Sequence, residues 1–433
     1  MTESESRSPT PPFGAFCLYW LRLGLTSFGG PAGQIAMMQG ELVDRRRWID
    51  QTRFLHALNF CMLLPGPEAQ QLATYIGWRM YGVRGGLVAG GLFVLPGALV
   101  LLALSWIAAA HGDAGPVAAL FDGIKPAVVA IIAAAVWRMG RRTLKGPAAV
   151  AMAGAAFLAL FALHLPFPLV IGAAAVVGGV AARMGRHWFA HPHPLADGDA
   201  GPVEPAPGRG RLAALAGLFV LLWLVPVGAI LLAFGSDPWR GVAALFTKAA
   251  LVTFGGAYAV LPYIAGQAVD VYGWLSPREM VDGLALAETT PGPLILVTQY
   301  VGFFAGWNRP GALSPALAGA LGAALTTYVT FLPCFLFIFA GAPYVERLIH
   351  NRLATGALAA IAAAVVGVIL NLGVYLGVAV LLLDGQTAGH MIWTWAIMLA
   401  ALYALTRRDM AIHWVVLGGA AAGLLQALAA SSL

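Results

Sequence analysis

Residues 21–38, LRLGLTSFGGPAGQIAMM, are apolar enough for a membrane helix, yet Gly29, Gly30 and Pro31 break them in the middle. Residues 63–78, LLPGPEAQQLATYIGW, are interrupted in the same manner by Pro65, Gly66 and Pro67. Both signatures return. Phe28-Gly29-Gly30 recurs as Phe254-Gly255-Gly256, Trp48 as Trp274, and Pro65-Gly66-Pro67 as Pro291-Gly292-Pro293, each 226 positions later. With one residue deleted, Tyr75 and Gly77 become Tyr300 and Gly302; after a longer insertion, Leu95-Pro96 becomes Leu332-Pro333. One match could be chance in a chain holding 53 glycines, but three at a common offset mark an internal duplication.

Composition names the solvent. Of 433 residues 60% are hydrophobic and only 10% charged, against roughly 25% charged in a soluble domain. Lipid must surround most of such a chain. Apolar runs long enough to span lie at 85–110, 117–139, 148–163, 169–184, 212–234, 313–340, 354–383, 391–405 and 412–430, with two broken segments at 13–38 and 54–80. Broken segments free backbone groups that protein, ligand or water must satisfy, so they avoid lipid. Residues 1–12 read as a disordered cytoplasmic tail without the features of a signal peptide. Residues 185–211 read as a polar cytoplasmic linker, in which His191 and His193 are more simply solvated than metal-bound. The net charge of +6 sits in short loops between apolar runs, which argues against nucleic-acid binding. Cys17, Cys61 and Cys334 are scattered and read as buried hydrophobes; no metal or cofactor is indicated.

Charge also orients the halves. Arg45, Arg46, Arg47 and Arg53 fill a loop of the first half whose counterpart, 267–282, keeps only Arg278. Arg138, Arg141, Arg142 and Lys145 follow a first-half helix whose counterpart end, 371–375, has no basic residue. Arg347, Arg352, Arg407 and Arg408 mark the opposite ends in the second half. The positive-inside rule then turns one half upside down relative to the other. The expected fold is an all-α polytopic membrane protein of two inverted-topology repeats, 13–184 and 235–433, with broken or re-entrant helices. A connecting span at 212–234 inverts the second. This is the architecture of many secondary transporters.

Candidate chemistry gathers at the breaks. Arg22 and Lys248 each precede a FGG motif by six residues, inside apolar helix; such cations snorkel to an interface or face a cavity. A helix restarting after FGG or PGP presents free N–H groups and a positive dipole end, which suits an anion. The backbone of Phe28, Gly29, Gly30, Phe254, Gly255, Gly256 and of both Pro-Gly-Pro turns is therefore expected to bind substrate. Gln70, Gln71, Thr289 and Thr290 would add amide and hydroxyl donors, with Asn59 and Gln299 nearby. Glu68 follows the first PGP and Glu288 precedes the second; intramembrane carboxylates are candidates for proton coupling. Simpler roles, satisfying a broken backbone or packing helices, compete for each residue. Lys125, beside Pro126 in a span, has no evident role. No catalytic constellation or phosphate-binding loop occurs, so an enzyme or an ATP-driven pump is not expected.

These motifs, with TFGGAYAVLPYI at 253–264 and ETTPGP at 288–293, resemble the chromate ion transporter family in its long, two-domain form. The resemblance spans nearly the whole chain apart from the tail and linker. It implies a multi-pass protein of the bacterial inner membrane that exports chromate, driven by the proton motive force, and confers chromate resistance. Ala257 stands for Pro31 and Leu294 for Glu68 in the second half, so the halves are not expected to play equal parts. Sulfate is a tetrahedral dianion of similar shape, leaving a sulfate or other anion permease or channel as the alternative. An intramembrane enzyme would need Glu68, Glu288 and His56 at one point, which no sequence feature requires. A homodimer is compatible with the small-residue pair Gly86 and Gly90, though the duplication removes the need for one.

Overall fold

A computed structural model describes residues 11–28, 30–112, 114–186, 188–189, 209–254, 256–342, 351–382 and 388–431. Residues 1–10 of the tail, most of the linker and its two histidines, Gly29, Gly255 and Arg347 lie outside the described residues. Among the described residues all regular structure is helical. The first half contains α1 (Phe13–Thr26), α2 (Gly30–Gln39), α3 (Gln51–Leu63), α4 (Glu68–His111), α5 (Gly115–Thr143), α6 (Pro147–Phe161) and α7 (Phe167–Arg183). Helix α8 (Arg209–Phe234) connects to α9 (Trp239–Val252), α10 (Ala257–Gly266), α11 (Pro277–Thr289), α12 (Val297–Asn308) and α13 (Pro315–Gly341). The chain finishes with α14 (Arg352–Leu381), α15 (Ala388–Arg407) and α16 (Ile412–Ser431). Helices α4, α5, α8, α13, α14 and α16 are long and apolar enough to cross a membrane. The chain is an all-α, multi-pass membrane protein.

Equivalent local devices shape both halves. Short α1 and α9 stop at Ser27 and Thr253, and α2 and α10 restart beside Gly30 (φ +73°) and Gly256 (φ +95°). Both restarted helices widen into a π-turn, Gly40–Arg45 in one case and Gln267–Val271 in the other. Asp50 caps α3 by accepting from Arg53 N–H, and Ser276 caps α11 in a full capping box with Glu279. Asp50 and Ser276 are themselves 226 positions apart.

Helix α4 would be about 66 Å long if straight, twice the roughly 30 Å hydrocarbon core. It is instead a hairpin. Tyr81 and Gly82 leave helical geometry, and the chain folds back so that Gly77 and Gly85 touch backbone to backbone. A side chain on either would collide with the other's carbonyl. In the second half α12 and α13 form the corresponding hairpin, with Gly302 against Gly322.

The long helices interlock. Helix α5 of the first half packs on α15 and α16 of the second, while α14 of the second packs on α6 and α7 of the first. Close approaches seat both crossings: Gly123 lies on Gly419 and Gly423, and Gly356 lies on Gly178. Helix α8 lies outside this body, held by Trp223 donating to Thr247 Oγ1 (2.8 Å) and Tyr328 OH donating to the Leu222 carbonyl (2.5 Å). Its exposed Leu221, Val225 and Leu232 suit contact with lipid.

Two expectations need correction. Gly86 and Gly90 do not offer a dimer surface: they are buried within the chain, packed on Thr74, Phe335 and Phe339. Helices α6 and α7, expected as full spans, have only 15 and 17 residues, about 22 and 26 Å. Both pack on α14.

The hairpin contact gives a direct test. Gly77→Leu forces backbone apart where no side chain can yield and is expected to cost at least about 3 kcal/mol. Size-exclusion chromatography in detergent should show loss of the monodisperse protein. Gly91→Leu, at a position where a Cβ would meet nothing within 4 Å, should elute as wild type.

Candidate functional site at the crossed helix breaks

The breaks meet across the repeats. The Gly66 N–H of the first PGP turn donates to the Thr253 carbonyl, where α9 ends, at 2.7 Å. The Gly292 N–H of the second donates to the Ser27 carbonyl, where α1 ends, at 3.0 Å. Gly66 corresponds to Gly292 and Ser27 to Thr253, so one contact is made twice with the halves exchanged. Both glycines hold positive φ, +129° and +102°, a region costly to any residue with a Cβ. Each turn also abuts the proline-bearing helix of the other half. A Cβ on Gly66 would stand 3.0 Å from Cys334 Sγ, next to Pro333, and one on Gly97, next to Pro96, would strike the Pro291 carbonyl.

These bonds change the part the turns can play. The N–H groups of Gly66 and Gly292, expected to be open to an anion, are committed to carbonyls in this conformation. Several expected side-chain donors are committed as well. Gln71 holds its own turn by donating to the Pro65 carbonyl (2.7 Å), and Gln70 donates to Thr74 Oγ1 (3.0 Å). Thr289 and Thr290 donate back to carbonyls of α11. Gln299 donates to the Ala98 carbonyl (2.7 Å) and accepts from Thr327 (3.0 Å). Pro67, Pro291 and Pro293 are buried, whereas Pro65, Asn59, Phe28 and Phe254 are half-buried; Phe28 lies against the His413 ring. Arg22 and Lys248 are exposed on α1 and α9, and neither has an ion-pair partner among the described residues.

The carboxylates are placed more tellingly. Glu288 is buried at the end of α11 and accepts a hydrogen bond from Tyr258 OH on α10. Glu68, half-buried, opens α4 directly after the first turn. Glu68 lies within electrostatic reach of Arg142 and Glu288 within reach of Arg138. Those arginines are one turn apart on α5, where both are exposed. His56, on α3, occupies the position that corresponds to Asp282 on α11.

Sequence reasoning missed three features here. It took Arg138 and Arg142 only as markers of sidedness, because helical phase relative to the breaks is not written in the run of residues. It left Lys125 without a role; Lys125 is buried, bonded to Asp122 (2.9 Å) and 3.8 Å from Asp282, and so ties α5 to α11. It passed over Ser27 and Thr330, whose buried hydroxyls have no partner among the described residues. Ser27 stands at the second turn, and Thr330 one helical turn from Cys334 at the first. For Ser27 the available signal was a hydroxyl directly before the FGG break.

Among the described residues no three His, Cys, Asp or Glu side chains gather as metal ligands. The candidate site is a meeting of paired backbone breaks with two acids and two unpartnered hydroxyls.

No solved structure matches the chain. An uncharacterized transporter of Methanocaldococcus jannaschii is 23% identical over 77% of each chain. A chromate transport protein of Cupriavidus metallidurans is 29% identical over 79% of this chain and 77% of its own. A chromate transport protein of Pseudomonas aeruginosa is 32% identical over 85% of this chain and 82% of its own. The family model for chromate transporters matches residues 14–180 and 241–424, which take in both sets of breaks, and this chain belongs to that family.

Proposed function

We propose that this protein carries chromate out of the cell across the bacterial inner membrane, by secondary active transport driven by the proton motive force, and so gives resistance to chromate. The observation that carries the reading is the reciprocal pair of crossed breaks, with an acid beside each and arginines of α5 within electrostatic reach. Membership of the family and the chromate transport named in two relatives support the substrate.

In this mechanism the halves 13–184 and 235–433 are inverted repeats joined by the span 212–234, with the tail and linker cytoplasmic. The dianion is drawn in by Arg138 and Arg142, with Arg22 and Lys248 as cations on the two approaches. At the breaks it meets the Ser27 and Thr330 hydroxyls and the Gln70 and Gln71 amides. Rocking of the halves exchanges the Gly66–Thr253 and Gly292–Ser27 bonds for bonds to the anion, and FGG and PGP serve as hinges. Glu288 and Glu68 carry the coupling proton: protonated, each loses the charge that repels the dianion and that pairs with arginine. Tyr258 orients Glu288 for that exchange.

Everted membrane vesicles energised to build a proton gradient are expected to accumulate chromate, and a protonophore should collapse the uptake. Energised uptake of sulfate with none of chromate would overturn the substrate while leaving the architecture. Arg22→Ala should lower chromate flux by about thirty-fold or more, the effect of removing a charge that contacts a charged ligand, with undiminished protein in the membrane. Wild-type flux would remove Arg22 from the path. Glu288→Gln should abolish uphill uptake yet keep chromate–chromate exchange, which needs no net proton movement. Tyr258→Phe should weaken uptake in the wild-type background and add nothing to Glu288→Gln, because the hydroxyl acts through that carboxylate. Equal losses in both backgrounds would separate the two residues.

A further inference from the structure

We infer that the membrane-facing groove beside α5 holds an anionic phospholipid, its phosphate between Arg141 and Arg407 and an acyl chain in the adjoining apolar cleft. The lining separates this groove from the candidate transport site. Arg141 stands about 60° around α5 from Arg138 and about 100° from Arg142. It lines a cavity with Leu402, Thr406 and Arg407 of α15, and neither Glu68 nor Glu288 is part of that lining.

Two observations meet at this place. The first is a cavity of about 460 Å³ lined by Ala133, Trp137, Arg141, Leu402, Thr406 and Arg407. Both arginines lie in the last turns of their helices, and neither has a carboxylate partner among the described residues. Two such guanidiniums on one cavity suit a phosphodiester, whose oxygens accept from both at once. The Arg141 guanidinium stands 5.8 Å from the centre of the Trp137 ring, and Trp137 is 58% exposed. An exposed tryptophan with a cation over its ring is characteristic of headgroup depth.

The second observation is an apolar cleft of about 510 Å³ between α5, α6 and α14, walled by residues that include Val136, Val150, Phe157, Val366 and Leu370. Trp137 and Arg141 line the cavity and the cleft alike, so the two are continuous. A free inorganic oxyanion would use the basic cavity and leave the cleft without a role. A lipid with one negative headgroup and a long chain uses both. Basic pockets between membrane helices are known hosts for anionic headgroups.

Trp137 supplies the readout. The full-length protein is reconstituted in phosphatidylcholine nanodiscs containing increasing fractions of acyl-brominated phosphatidylglycerol or acyl-brominated phosphatidylcholine. The fluorescence difference between wild type and Trp137→Phe isolates the Trp137 signal. Quenching by phosphatidylglycerol should reach half-saturation at about thirty-fold lower fraction than by phosphatidylcholine, from two arginines near a headgroup. The double variant Arg141→Gln/Arg407→Gln should bring the two lipids to the same value. Native mass spectrometry of the wild-type protein with equal amounts of both lipids tests the same preference without any substitution, and should show retained phosphatidylglycerol. Equal half-saturation in wild type, an unchanged preference in the double variant, or no retained phosphatidylglycerol would overturn the assignment. Displacement of the brominated lipid by millimolar inorganic phosphate would overturn it in favour of a small-anion site.

Discussion

The structure depends on the two backbone hydrogen bonds by which each half closes the other's broken helix. A helix that stops inside a low-dielectric layer leaves amide and carbonyl groups unpaired, each at a cost of several kcal/mol in lipid. Here the Ser27 and Thr253 carbonyls, exposed where α1 and α9 end, accept from Gly292 and Gly66. Neither half supplies this partner to itself. The breaks are therefore stable only where the halves cross, and two copies in one chain guarantee that they do. Glycine stands at both donor positions because the turn demands positive φ and tight packing on Cys334 or Gly97.

The same exchange governs the long helices. Helix α5 lies in the grip of second-half α15 and α16, and α14 in that of first-half α6 and α7. Helices of opposite halves come close enough for glycine-to-glycine contact, a packing mode suited to a milieu where lipid removes most of the hydrophobic drive between helices. The buried Lys125–Asp282 pair adds a polar tie between α5 and α11. Desolvation cancels much of what such a pair contributes to stability, so its consequence is register: α11, which carries Glu288 in its last turn, is held at one height against the helix that bears Arg138.

How much of this was legible follows from what a sequence records. Repetition is recorded directly: FGG, PGP and Trp48/Trp274 at one offset revealed the duplicated breaks, and composition revealed the membrane. The helical hairpin in α4 was not legible as a hairpin, because Tyr81-Gly82 carries no strong turn signature and only the Gly77–Gly85 contact exposes the reversal. The breaks themselves were seen as anion sites because a restarted helix has free donors in isolation. Which partner claims those donors is a tertiary fact, and Thr253 and Ser27 claim two of them. Gly86 and Gly90 failed as a dimer motif for a related reason: small residues report close packing but not whether the neighbour belongs to the same chain. Arg138 and Arg142 were read for sidedness alone, and that reading hid their electrostatic reach to the acids.

Packing symmetry and charge symmetry part company in this chain, and the difference bears on directionality. Backbone contacts at the two breaks are equivalent, as are the capping residues Asp50 and Ser276 and the paired π-turns. The charges are not. Glu68 follows its PGP turn where the second half has buried Leu294, Glu288 precedes its turn where the first has Met62, and the arginines within electrostatic reach of them both belong to α5. Exchanging the conformations of the halves would thus preserve the shape of the site while changing the charges an anion meets on each side. A ligand biases two states only by the difference in its free energy with each. A scaffold symmetric in both respects would offer a dianion the same binding from either face. In the proposed mechanism, unequal acids and arginines on an equal backbone let a proton strengthen binding on one face and weaken it on the other.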